Sequence, residues 1–285
     1  MILGRMTAIV LLCALAAPVA AQTGTLEKIR KAGAINMGYV EGSPPFSFLD
    51  ENRQPQGYSV DLCREIANGI RTQLGLAKLE TRWVALTLQD RLEAVRSGRV
   101  DIECSTTTWT LSRQAEVDFS LITFVDGGSI LMRADDGLGR LSDFGGKRIA
   151  VITGTTTEKV LKSAIERRSI KAEVVNVRTR DAGLQLLEQR KVDGFASDRI
   201  VLIGLVLATP SSQGIYRLLD EDFSVEPYAL ALPRGDHDYR LAVNRVLARL
   251  YRTGDIETIY RRWLGKLGTP SLLLSAAYFI QGLPE

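Results

Sequence analysis

The chain has 285 residues, 45% hydrophobic and 24% charged, with 36 basic against 33 acidic side chains and a formal charge of +3. That length holds one large domain or two ordinary ones, and charges of both signs interspersed along it exclude a nucleic-acid surface. A single histidine, His237, argues against a multi-histidine metal site and against histidine catalysis, and neither metal nor cofactor is expected.

In chain order, the first 21 residues carry one basic side chain, Arg5, an apolar run over residues 8–17 and small residues at their end. This is the pattern of a secretory signal cleaved after about Ala21 and places the mature chain in the periplasm. Cys13 sits inside the apolar run with leucines before it, a poor site for a lipid anchor. Two cysteines then remain, Cys63 and Cys104. In an oxidising compartment they form one bridge or stay as two buried thiols, and spacing does not decide between these.

The mature chain reads as strands alternating with helices. A helix over residues 26–32 stops at Gly33, and residues 35–39 alternate as a strand. Pro44-Pro45-Phe46-Ser47-Phe48 forms a loop that stands its rings at the end of that strand. A long helix opens at Gly57-Tyr58-Ser59, with Ser59 or a neighbour as its cap and Leu62, Ile66, Ile70 and Leu74 repeating every four residues. A strand at residues 79–84, a helix at 88–97 and a strand from Val100 complete a βαβαβ progression. Such connections build a mostly parallel sheet, whose ligands sit beyond the carboxyl ends of the strands.

At one such end lies Glu103-Cys104-Ser105-Thr106-Thr107-Thr108, with Arg113 five residues further on. Hydroxyls, backbone N–H groups and one planar guanidinium there suit a carboxylate; the plain alternative is a threonine-rich turn beside a solvated arginine. The pattern repeats in residues 129–133 and 147–152, which end at Thr153-Gly154-Thr155-Thr156-Thr157 before a helix over 158–167. That turn offers helix N–H groups to an anion, or merely caps its own helix. A strand at 174–177, a helix at 180–188 and a strand at 192–198 follow, with Asp198 at the far end. Its carboxylate either caps the helix over 200–208 or accepts from an ammonium group.

In order and spacing, these segments resemble the extracellular solute-binding proteins of bacterial ABC importers for polar amino acids, most closely the glutamate/aspartate-binding branch. The resemblance rests on Gly57-Tyr58-Ser59-Val60-Asp61-Leu62, residues 103–108 with Arg113-Gln114, residues 120–125, Thr153-Gly154-Thr155-Thr156, residues 195–198 and residues 255–264. It implies a two-lobed α/β fold of the periplasmic-binding-protein type II kind, each lobe a mostly parallel sheet flanked by helices. Two hinge strands would cross near residues 124–128 and 222–228. Lobe one would be discontinuous, residues 22–126 and 225–285, and lobe two residues 127–224. The C-terminal helices, including an apolar one over 272–280 too short to span a membrane, would pack on lobe one.

The resemblance further implies a ligand α-carboxylate at Arg113, with Thr106, Thr108 and Thr156 nearby, and an α-amino group at Asp198. Arg91 would meet a side-chain carboxylate, and Phe46 would line the cleft. Two positions depart from the pattern: Val40 replaces an arginine and Arg180 a histidine. With Arg91 and Arg180 together, an acidic L-amino acid, glutamate or aspartate, is favoured over another polar amino acid. The expected partner is an inner-membrane ABC permease, and the protein is expected to be monomeric and not an enzyme. The alternatives are a periplasmic enzyme of the cyclic amino-acid dehydratase type, with Glu41 and Glu103 as the acids nearest the cleft, and a ligand sensor for a membrane receptor.

Overall fold

The computed structural model describes residues 24–209 and 214–285; the expected leader over residues 1–21, with Cys13, lies outside the described residues. Helix α1 (Thr25–Ala32) stops where Gly33 turns left-handed at φ 60°, and β1 (Ala34–Val40) follows. A small hairpin of β2 (Phe48–Leu49) and β3 (Pro55–Gln56) leads to α2 (Tyr58–Gln73). This helix buries Leu62, Ile66 and Ile70, three of the four residues of the expected stripe, with Cys63 beside them; Leu74 caps its C-terminus and is half-buried. Ser59 does not cap it: Gly57 holds the N-cap position, and the Ser59 hydroxyl instead donates to the Ser105 carbonyl at 2.8 Å. Next come β4 (Glu80–Leu86), α3 (Arg91–Arg96) and β5 (Ile102–Glu103), and β1 pairs in parallel with both strands.

After the single turn α4 (Leu111–Gln114), β6 runs for 16 residues, Asp118–Arg133. The expected crossing and the expected strand after it are therefore one continuous strand. Gly127 and Gly128 do not break it, because they are required by what lies against them. A Cβ would fall 2.2 Å from Asp222 at the first position and 2.4 Å from the Ser224 hydroxyl at the second. The second half then alternates β7 (Arg148–Ile152), α5 (Thr156–Arg167), β8 (Glu173–Val177), α6 (Arg180–Glu188), β9 (Gly194–Asp198) and α7 (Arg199–Ala208). β10 (Tyr216–Leu218) and β11 (Ser224–Leu232) return the chain to the first half, where α8 (His237–Thr253), α9 (Asp255–Leu264) and α10 (Leu272–Gln281) finish it.

The strands form a nine-stranded sheet in the order β4-β1-β5-β11-β6-β9-β7-β8, with β10 beside β6. Its outer portions are parallel, and the antiparallel pair β11/β6 joins them, with Phe124 opposite Tyr228, Asp126 opposite Glu226 and Gly128 opposite Ser224. This is the two-lobed α/β arrangement expected, with the crossing strands side by side.

Two features tie the first lobe together. Cys63 and Cys104 are bridged, with Cα atoms 6.2 Å apart, so helix α2 is fastened to the loop after β5. α10 packs down through Leu274 and Tyr278, the Tyr278 hydroxyl lies 2.6 Å from that of Tyr58, and Gln281 accepts from the Ile122 amide at 2.7 Å. Among the described residues, no helix is long and apolar enough to cross a membrane.

Candidate functional site

A narrow cavity, about 310 Å³ when the open space at its mouth is counted, lies between the two halves. It is lined at the ends of the parallel strands, by Leu88 and Arg91 after β4, Thr106 and Thr108 after β5, Ile152 at the end of β7 with residues 155–157 after it, Arg180 after β8 and residues 196–198 of β9. Six of the eight ligand-binding residues expected from sequence meet there: Arg91, Thr106, Thr108, Thr156, Arg180 and Asp198.

Phe46 does not line this cavity. It is fully buried in an edge-to-face knot with Tyr58, Phe124 and Tyr228, centroids 4.9 to 6.0 Å apart, because the Pro-Pro loop turns the ring inward. Arg113 also stands back from the wall, and its Nη1 donates to the Thr108 carbonyl at 2.8 Å. Thr110 caps the short turn that carries it by accepting from the Arg113 amide. Burial, and after it the neighbouring Arg91 charge, hold its guanidinium down at about 10, so it remains a cation at neutral pH.

Arg91 and Arg180 hold the same local position, each the first residue of a helix that follows a parallel strand. Both are buried, 4% and 5% exposed. Among the described residues, Arg91 reaches only the Thr106 carbonyl, at a marginal 3.5 Å, and the Nε of Arg180 has no partner. Burial pushes the Arg180 guanidinium down while Asp198 offsets part of that. Two under-satisfied buried cations facing one cavity are costly unless an anion meets them there.

Three of the four threonines of the β7–α5 turn have separate tasks. Thr155 caps α5 by accepting from the Glu158 amide, Thr157 donates to Asp198 Oδ1 at 3.0 Å, and Thr156 donates to Glu226 at 2.9 Å. Capping therefore explains one of them and leaves two for the cavity. Asp198 occupies the N-cap position of α7 but makes no capping bond; the Asp126 carboxylate accepts from the Ile200 amide at 3.1 Å instead. Asp198 Oδ2 accepts from the Tyr228 hydroxyl at 2.6 Å, and the same hydroxyl lies 3.2 Å from Asp126.

Sequence reasoning missed Asp126, Glu226 and Tyr228, which come from the crossing strands. Burial, and then the charge of Asp198, push both carboxyls up. Glu103, expected near the cleft, is fully buried with both oxygens unpaired and does not line the cavity; burial pushes its carboxyl up, with Arg91 and Arg113 opposing. Glu41 lines an adjoining groove, with Val40, Gly42 and Asp181, and Leu88 and Arg180 line both the groove and the cavity. His237 is exposed at the start of α8, far in sequence from every cavity residue. Among the described residues, no cluster of metal-binding groups occurs.

Comparison with known proteins adds lineage to this geometry. The family model for bacterial extracellular solute-binding proteins, family 3, matches residues 35–266. The L-glutamate/L-aspartate-binding protein of Pseudomonas aeruginosa is 31% identical over 252 residues, spanning 87% of this chain and 83% of that protein. Among solved structures, an ancestral arginine-binding protein bound to arginine superposes with a TM-score of 0.73 at 26% identity, over 82% of this chain and 99% of that one. An ancestral amino acid-binding protein, a precursor of cyclohexadienyl dehydratase, superposes with a TM-score of 0.71 at 25% identity, over 84% and 99%.

Proposed function

Because the chain belongs to the bacterial extracellular solute-binding proteins of family 3, we propose that it captures a free L-amino acid in the cleft between its lobes and delivers it to an ABC permease. The ligand favoured is glutamate or aspartate. The observation that carries this reading is the pair Arg91 and Arg180, buried at matching helix starts with little to satisfy them. Charge-assisted hydrogen bonds from a planar fork suit a side-chain carboxylate.

In this reading Asp198 meets the α-amino group, and the α-carboxylate draws Arg113 forward from its place behind the Thr108 carbonyl. The lobes divide where β6 and β11 cross, near residues 126 and 225, and work in the periplasm as a monomer. The name of the Pseudomonas aeruginosa relative supports the acidic preference, although Val40 leaves the site one cation short of that branch's pattern. We assign no catalytic step, since Glu103 is fully buried and lines no part of the cavity, and Glu41 lines the adjoining groove rather than the cavity itself.

A thermal-shift panel over the twenty amino acids tests the reading. A ligand at 100 times its dissociation constant adds about 2.7 kcal/mol to the folded state, and glutamate and aspartate are expected to give the largest shifts. A panel in which no amino acid raises the melting temperature overturns it. A new product after incubation with the ligand would establish an enzyme instead.

A further inference from the structure

Glu226 stands on the crossing strand β11, yet its carboxylate joins both lobes. Oε2 accepts from the Thr108 hydroxyl at 2.7 Å and from the Thr156 hydroxyl at 2.9 Å, and those hydroxyls lie 3.1 Å from each other. Oε1 accepts from the Ser224 hydroxyl at 2.7 Å. Local pairing explains the meeting: the Trp109 amide donates to the Pro227 carbonyl and the Ala229 amide to the Thr107 carbonyl, which lays Thr108 against β11. Glu226 is 1% exposed and does not itself line the cavity, whereas Thr108 and Thr156 do.

A hydroxyl carries one hydrogen and two lone pairs. Once Thr108 and Thr156 have given their hydrogens to Glu226, they have only lone pairs left for a ligand. Ser224 fits the same polarity, because its oxygen already accepts from the Gly128 amide and its hydrogen is free for Oε1. The two threonine hydroxyls then cannot donate to a carboxylate, and they present acceptors beside Asp198. We infer that Glu226 is a positioning residue which fixes these hydroxyls as acceptors for the ligand's ammonium group, leaving its carboxylates to the arginines and backbone amides.

The inference rests on the amino-acid-binding reading and sharpens it: recognition of the α-amino group is shared between Asp198 and a hydroxyl pair that Glu226 orients from behind. The charged groups around Glu226 are Asp198, whose charge opposes its ionisation, and Arg113, which it stabilises. An incoming ammonium adds a positive charge on the cavity side and favours the carboxylate form.

Competition calorimetry with L-glutamate and with glutarate, the same molecule without the amino group, tests this. In Glu226→Gln the preference for glutamate over glutarate is expected to shrink by about tenfold or more, the scale of one hydrogen bond to a charged group, with glutarate affinity little changed. Thr156→Val is expected to lower the same ratio and Thr156→Ser to keep it, which preserves the test if Glu226→Gln fails to fold. Equal losses for both ligands, or an unchanged ratio, overturn the inference. Wild-type protein that binds no amino acid overturns the function it rests on.

Discussion

At the scale of single residues the three arginines are separable. If Arg113 meets the carboxylate common to all amino acids, Arg113→Ala weakens every ligand, whereas Arg91→Ala weakens only those with an acidic side chain. Each loss should be about 1.5–3 kcal/mol, the worth of a hydrogen bond to a charged group, and titration calorimetry reads both. Arg113→Lys should recover little, since an ammonium cannot reproduce the fork. The buried acids make a second prediction. Burial pushes the carboxyls of Glu103, Asp126 and Glu226 above their ordinary range. Their folded values exceed their unfolded ones, so their contribution to stability is full below the unfolded value and is lost as pH rises through the folded value. A ligand ammonium beside Asp198 opposes this upward shift at the neighbouring Asp126 and Glu226. Binding at mildly acidic pH is therefore expected to release protons, seen as a buffer-dependent heat; proton uptake would contradict the arrangement.

At the scale of elements, α7 closes onto the opposite lobe through Gly204, where a Cβ would fall 2.2 Å from the Pro44 carbonyl and 3.1 Å from Pro45. Gly204→Ala is expected to act as a wedge, weakening every ligand because the closed arrangement becomes harder to reach. The unliganded melting temperature should barely change, because alanine favours the helix interior over glycine; unchanged affinity would show that the helix and loop separate freely. Elements of this kind were largely legible in sequence. α6 was expected over the residues it occupies, and the α2 stripe was visible because helical burial repeats every three to four residues. The site was legible where chemistry gathers at strand ends, as in Thr106, Thr108 and Asp198. It was illegible where a function comes from strand pairing. Glu226 is a lone acid in a strand that reads as ordinary alternation, and only the pairing of β11 with β6 and with the Thr108 loop gives it a role. Phe46 misled for the converse reason, since a loop aromatic may face cleft or core and the sequence carries no direction.

At the scale of the whole molecule, the donors and acceptors of one small cavity are divided between lobes that meet along β6 and β11. Arg91, Thr106 and Thr108 come from one side, and Thr156, Arg180 and Asp198 from the other. Cross-lobe hydrogen bonds already link them: Thr108 with Thr156, both with Glu226, and Gln89 with the Thr153 and Arg178 carbonyls. Neither set alone satisfies a zwitterion, so the proposed ligand is expected to bind the closed form far better than the open one. Reversing a 1:99 balance to 99:1 requires about 5.5 kcal/mol of differential affinity, within reach of a few strong hydrogen bonds to charged groups. Hinge closure of periplasmic binding proteins is a general example of such transitions; the division of residues is specific to this chain. Small-angle X-ray scattering with and without saturating glutamate, on wild type and on Asp198→Asn, tests this most directly. The account predicts that glutamate compacts the wild-type protein to the arrangement described above, and that Asp198→Asn compacts far less at the same ligand concentration. Tight binding with no compaction, or compaction that does not depend on Asp198, would contradict it.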